Sequence, residues 1–97
     1  MNNEMIRILV VDDHPVLLSG LSLLLNAEAD MEVAGTADSG PKALALVKEL
    51  QPDIVLLDIS LPGTSGLLLL PEILRQAPKT RVLMLTMHGT ISISRKP

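Results

Sequence analysis

Four polar residues stand where short apolar runs end: Asp12 and Asp13 after Ile8-Leu9-Val10-Val11, Asp58 after Ile54-Val55-Leu56-Leu57, and Thr86 after Arg81-Val82-Leu83-Met84-Leu85. Runs of that length, rich in Val, Ile and Leu, read as strands buried on both faces. In an open parallel sheet, ligands collect just beyond the carboxyl ends of the strands, at the topological switch point. If the first and third runs are neighbours there, three carboxylates meet in one small pocket. Carboxylates that close repel one another, so either one holds a proton or a cation sits among them. Oxygen ligands without sulfur or imidazole favour Mg²⁺. A Mg²⁺ beside an aspartate suits phosphoryl transfer, because the cation neutralises phosphoryl oxygens while a carboxylate oxygen attacks phosphorus to give an aspartyl-phosphate. A hydroxyl at Thr86 can then hydrogen-bond the new group and report its presence.

Each of these residues also has a plainer role. An Asp pair after a strand serves equally as an Asx-turn or a helix N-cap. A strand-end threonine commonly satisfies a backbone group, His14 reads as a helix-start residue and His88 as a loop residue. Asp58 is harder to dismiss, since a carboxylate following four apolar residues is costly to bury without a partner. Three acids and a hydroxyl at one sheet edge favour a site over four separate coincidences.

The elements that would position them alternate. Ile6 to Val11 is the first strand, and Pro15 fits the first turn of a helix whose face is Leu17, Leu21, Leu24 and Leu25. Met31 to Thr36 is a second strand. Ser39 is an N-cap for a second helix with Ala43, Leu46, Val47 and Leu50 on one face. Pro52-Asp53 breaks that helix before the third strand, Ile54 to Leu57. Pro62-Gly63 marks a turn, and Ser65 caps a third helix with Leu67, Leu70 and Leu74 inward. Pro71 falls inside it and predicts a kink or an unpaired carbonyl; Pro78 ends it ahead of the fourth strand, Arg81 to Leu85. Strand and helix in strict alternation imply an α/β fold, a parallel sheet with helices on both faces.

Composition narrows the functions. The chain has 97 residues, enough for one small domain, with 8 basic against 11 acidic side chains and a net charge of -3. An acidic chain without a basic face does not suit nucleic-acid binding, and 0% aromatic content removes base-stacking platforms. With no cysteine there is no disulfide, thiolate metal site or thiol nucleophile, and two histidines cannot build a histidine-rich metal site. The mean hydropathy of +0.42 comes from short aliphatic runs rather than a membrane span, and the first residues do not read as a signal peptide. The expected location is the cytoplasm.

The string Ile8-Leu9-Val10-Val11-Asp12-Asp13-His14-Pro15 resembles the opening of the receiver domains of two-component response regulators. Its Asp-Asp-His-Pro form is similar to the subgroup fused to a LuxR-type helix-turn-helix DNA-binding domain. Pro52 to Gly63 followed by Gly66 resembles the family's phosphorylation segment, and Arg81 to Thr86 with Met87-His88 resembles its fourth strand and hydroxyl position. The resemblance implies a flavodoxin-like (CheY-like) sheet of order 2-1-3-4-5. It implies that Asp58 is the phosphoacceptor, Asp13 a direct Mg²⁺ ligand, Asp12 a ligand acting largely through water, the Ser60 carbonyl a further ligand, and Thr86 the switch hydroxyl. The implied phosphodonor is a phosphohistidine on a sensor histidine kinase, in a relay that ends in transcription regulation through an output domain.

The resemblance runs from Ile6 through His88, so residues 1–88 are expected to form the receiver part and residues 89–97 a tail foreign to the family. By this reading the fold is incomplete, lacking the last strand, the last two helices and the lysine that would pair with the phosphoryl group. One side of the fourth strand and part of the core should then be exposed, inviting aggregation or self-association through that edge. Ile91 and Ile93 alternating with serines offer a makeshift edge strand instead. A one-base frameshift accounts for the tail, since its codons can be chosen to encode receiver-like text in another frame; a trimmed chain with a foreign tail is the bland alternative. Two further functions are expected to differ in assay. A non-switching interaction fragment, or the product of a pseudogene, would be folded or half-folded and unable to switch because the lysine is gone. A hydrolase of the haloacid-dehalogenase type, which wants a second acid where Ser60 stands, would turn over phosphomonoesters.

Overall fold

The computed structural model describes residues 5–59, 61, 66–86 and 89–93, with backbone alone at 86 and 89–93. The aliphatic runs form strands β1 (Ile6–Val11), β2 (Met31–Ala37), β3 (Ile54–Asp58) and β4 (Arg81–Thr86). Between them lie helices α1 (Pro15–Asn26), α2 (Gly40–Leu50) and α3 (Gly66–Gln76). The four strands pair in parallel, as the alternation implies, in the order β2-β1-β3-β4, the CheY-like arrangement that the resemblance implies. A further strand, β5 (Gly89–Ile93), pairs antiparallel with β4 and closes the sheet on that side. The edge expected to stand open on β4 is therefore covered, and the outer strands are β2 and β5.

Side chains of successive strand residues point to opposite faces, which divides the core in two. On one face Leu9, Val11, Val55, Leu57, Val82 and Met84 bury against Ala43 and Val47 of α2 and Leu69 and Ile73 of α3. On the other, Ile8, Val10 and Leu56 meet Leu18, Leu21 and Leu25 of α1. Ile54, Leu83 and Leu85 pack partly buried against this second cluster.

The opposite edge of the sheet is pinned by hydrogen bonds that fix strand register. Arg7 N donates to Asp53 Oδ2 at 2.8 Å, Asp53 N to the Arg7 carbonyl at 2.9 Å, and Arg81 N to the Asp53 carbonyl at 3.0 Å. The buried Thr80 hydroxyl donates to the Pro52 carbonyl at 2.5 Å. Ser39 caps α2 as expected, its Oγ accepting from Lys42 N at 3.4 Å. The helix ends on Gln51, in the left-handed region at φ 46°. No glycine is present there. Instead the Gln51 amide donates to the carbonyls of Val47, Lys48 and Gln76, satisfying the ends of α2 and α3 together.

Two helix expectations need correction. The sheet-facing stripe of α1 is Leu18, Leu21 and Leu25, while Leu17 and Leu24 turn outward. Periodicity could not choose, because the only polar stripe, Ser19, Ser22 and Asn26, leaves a wide apolar arc on which several leucines could face the sheet. In α3 the buried residues are Gly66, Leu69 and Ile73, with Leu70 and Leu74 partly covered, and Leu67 is exposed because it lies off that i, i+3, i+7 stripe. Pro71 lies inside α3 as expected, on its exposed side, where the ring meets solvent. The Ser65 cap and the Pro62-Gly63 turn lie outside the described residues.

Candidate metal centre

The register of β1 against β3 explains why distant acids meet. Val11 stands opposite Leu57, so the next residues along, Asp12 and Asp58, emerge side by side at the carboxyl edge. Neighbouring strands are roughly 4.8 Å apart. Asp12, Asp13, His14 and Asp58 each offer one ligand atom, and these atoms all lie within 4.8 Å of one another. Asp12 N donates to the Ala37 carbonyl at 3.0 Å, tying the end of β1 to the end of β2.

The four side chains differ in environment. Asp12 is 1% exposed, and its Oδ1 accepts from His14 N at 2.9 Å and faces His14 Nδ1 at 2.6 Å. Asp13 is partly open, yet its Oδ1 is buried without a hydrogen bond, 3.3 Å from His14 Nδ1. Asp58 is buried. The His14 ring lies mostly in solvent, and its pKa is raised from 6.5, first by the hydrogen bond to Asp12 and then by the charges of Asp13, Asp12 and, least, Asp58, with desolvation opposing. The acids thus favour the protonated form of the imidazole beside them. Hard carboxylate oxygens from Asp12, Asp13 and Asp58 make a donor set that fits Mg²⁺, and the Asp13 oxygen left without a hydrogen bond is the position such an ion would satisfy.

Asp58 is held from behind. It pairs with Leu85 of β4, and Ile59 N donates to the Leu85 carbonyl at 3.2 Å. Gly66 N, opening α3, donates to the Ile59 carbonyl at 2.9 Å. A Cβ on Gly66 would sit 2.7 Å from the Asp58 carbonyl oxygen and 2.9 Å from Ile59 Cα, so only glycine lets the start of α3 lie against this backbone.

The structure therefore brings together Asp12, Asp13 and Asp58. Thr86 ends β4, one residue beyond the partner of Asp58, and its side chain lies outside the described residues, as do Ser60 and His88. Sequence reasoning passed over His14 as a site member. The signal was its adjacency to two acids, from which any group reaching their oxygens is also within reach of the ring. Gly66 was visible in the motif without a role, and the role depends on backbone proximity that spacing does not reveal.

The response regulator receiver domain family matches residues 8–96. The chain is 36% identical over 90 residues to the uncharacterized transcriptional regulatory protein YxjL of Bacillus subtilis, covering 93% of this chain and 41% of that protein. It is 44% identical over 82 residues to the oxygen regulatory protein NreC of Staphylococcus aureus, covering 84% of this chain and 38% of NreC. Among solved structures, a LuxR-family two-component response regulator from Aurantimonas superposes with a TM-score of 0.82 at 34% identity, covering 89% of this chain and 61% of that one. The chain spans about two fifths of the length of the curated relatives it matches.

Proposed function

We propose that this chain, which belongs to the response regulator receiver domain family, accepts a phosphoryl group onto Asp58 from a phosphohistidine of a sensor histidine kinase. The observation that carries the reading is the gathering of Asp12, Asp13 and Asp58 at one sheet edge, within 4.8 Å, around an Asp13 oxygen that lacks a hydrogen bond. An Asp58 carboxylate oxygen attacks phosphorus, the P–N bond of the donor breaks, and its imidazole nitrogen leaves with the electron pair. The product is an acyl phosphate, formed without any change of oxidation state. Asp13 would hold Mg²⁺ directly and Asp12 largely through water, with the Ser60 carbonyl as a further ligand. Bound there, the ion neutralises phosphoryl oxygens during transfer. Thr86, next in register beyond Leu85, supplies the hydroxyl that hydrogen-bonds the phosphoryl group. The chain is an acceptor rather than a turnover enzyme, works in the cytoplasm, and contacts DNA through no surface of its own. Among the described residues no helix is long and apolar enough to cross a membrane.

The test is incubation of the chain with acetyl phosphate and Mg²⁺. Wild-type protein should take up one phosphoryl group per chain, and Asp58→Ala none. Equal uptake by Asp58→Ala would overturn the assignment.

A further inference from the structure

The phosphoryl transfer draws on Asp12, Asp13 and Asp58 but makes no use of the imidazole beside them. His14 stands at the N-cap of α1, yet its side chain caps no helix N–H. It is turned the other way, onto the acids. His14 N donates to Asp12 Oδ1 at 2.9 Å, which folds the residue back over the carboxylate two positions before it. Its Nδ1 then lies 2.6 Å from Asp12 Oδ1 and 3.3 Å from Asp13 Oδ1, the buried oxygen without a hydrogen bond.

These are distances between ligands of one ion. Two donors bound at about 2.1 Å are roughly 3.0 Å apart at a right angle and about 3.4 Å apart at a tetrahedral angle. The 3.3 Å separation is already such an edge. The 2.6 Å contact opens to one by a small turn of a ring whose side chain is 65% exposed. One nitrogen, from His14, and three oxygens, from Asp12, Asp13 and Asp58, lie within 4.8 Å of one another.

That set differs from the three acids alone. Mg²⁺ takes oxygen ligands and keeps several waters in an octahedral shell. Zn²⁺ accepts imidazole and carboxylate together, commonly as four donors in a tetrahedron. We infer, on the reading of Asp12, Asp13 and Asp58 as a metal centre, that His14 is a ligand through Nδ1 for a borderline divalent ion of the Zn²⁺ type. His14 thereby sets which ions the centre prefers. For Mg²⁺ the ring only competes for the Asp12 oxygen it faces; for Zn²⁺ it is the fourth donor. Its loss should weaken Zn²⁺ and leave Mg²⁺ bound as tightly or more so.

Calorimetric titration of the full chain with Zn²⁺ and, separately, with Mg²⁺ tests this in wild type and His14→Gln. H14Q should bind Zn²⁺ about tenfold or more weakly, since even an outer partner of a ligand is worth that much, and Mg²⁺ no more weakly. X-ray absorption of chain loaded with substoichiometric Zn²⁺ should show imidazole scattering. H14Q should lose it, whereas His88→Ala, at the chain's other histidine, should keep it. H14Q with wild-type Zn²⁺ affinity overturns the inference, as does imidazole scattering that H88A removes. So does an H14Q chain that melts cooperatively and loses both ions equally, which would make His14 a support for the acids. Wild type that takes Mg²⁺ but not Zn²⁺ refutes this inference alone; wild type that takes neither refutes the metal centre with it.

Discussion

Replacing Asp13 by Asn should stabilise the metal-free chain while removing its response to Mg²⁺. Asp12, Asp13 and Asp58 bring ligand oxygens within 4.8 Å. Two unit charges at that separation repel by about 1 kcal/mol in bulk water and about 3.5 kcal/mol at an effective dielectric near 20. The Asp13 side chain is about a third exposed, so the low end applies and relief is about 1 kcal/mol. For a domain near this length that raises the melting temperature by about 4–8 °C. Adding Mg²⁺ at a hundred times its dissociation constant should stabilise the wild type by about 2.7 kcal/mol. Asp13→Asn should gain far less, because the oxygen now without a hydrogen bond is replaced or neutralised. Far-ultraviolet circular dichroism reads both melts, since with 0% aromatic residues the chain has no useful intrinsic fluorescence. A metal-free Asp13→Asn that melts below wild type, or one that gains as much from Mg²⁺, would refute the electrostatic reasoning.

Three other outcomes follow from particular contacts. Gly66→Ala places a methyl 2.7 Å from the Asp58 carbonyl oxygen. It should cost about 1–3 kcal/mol of stability and lower phosphoryl uptake from acetyl phosphate; an unchanged melt and unchanged uptake would mean the α3 start is not held against Asp58. His14→Ala frees the Asp12 oxygen that the imidazole now faces at 2.6 Å, so Mg²⁺ should bind more tightly by calorimetric titration. A weaker affinity would instead make His14 a supporting residue. Ser39→Ala removes the α2 cap, whose hydrogen bond is long at 3.4 Å, and should cost about 0.5–1 kcal/mol in a denaturant melt.

The parallel sheet was legible because β1, β3 and β4 are aliphatic runs too short for membrane spans and each is closed by a polar residue. Their carboxyl ends carry the acids, so placing the strands placed the site. What could not be read were choices that sequence pattern leaves degenerate. α1 has leucines over most of its circumference, and its outward Leu17 and Leu24 were indistinguishable from its inward Leu18 and Leu25. The left-handed Gln51 was hidden because a side-chain amide does there what a glycine usually permits. His14 was read alone, as a helix-start residue, when its chemistry depends on the two carboxylates folded against it.

The central claim is that Asp58 carries the phosphoryl group, and locating the modified residue tests it most directly. Chain treated with acetyl phosphate and Mg²⁺ would be trapped with borohydride, which reduces an aspartyl-phosphate, then digested and sequenced by mass spectrometry. The account predicts reduction at Asp58 alone and none when Mg²⁺ is chelated beforehand. Reduction at Asp12, Asp13 or Asp53 with Asp58 intact would contradict it.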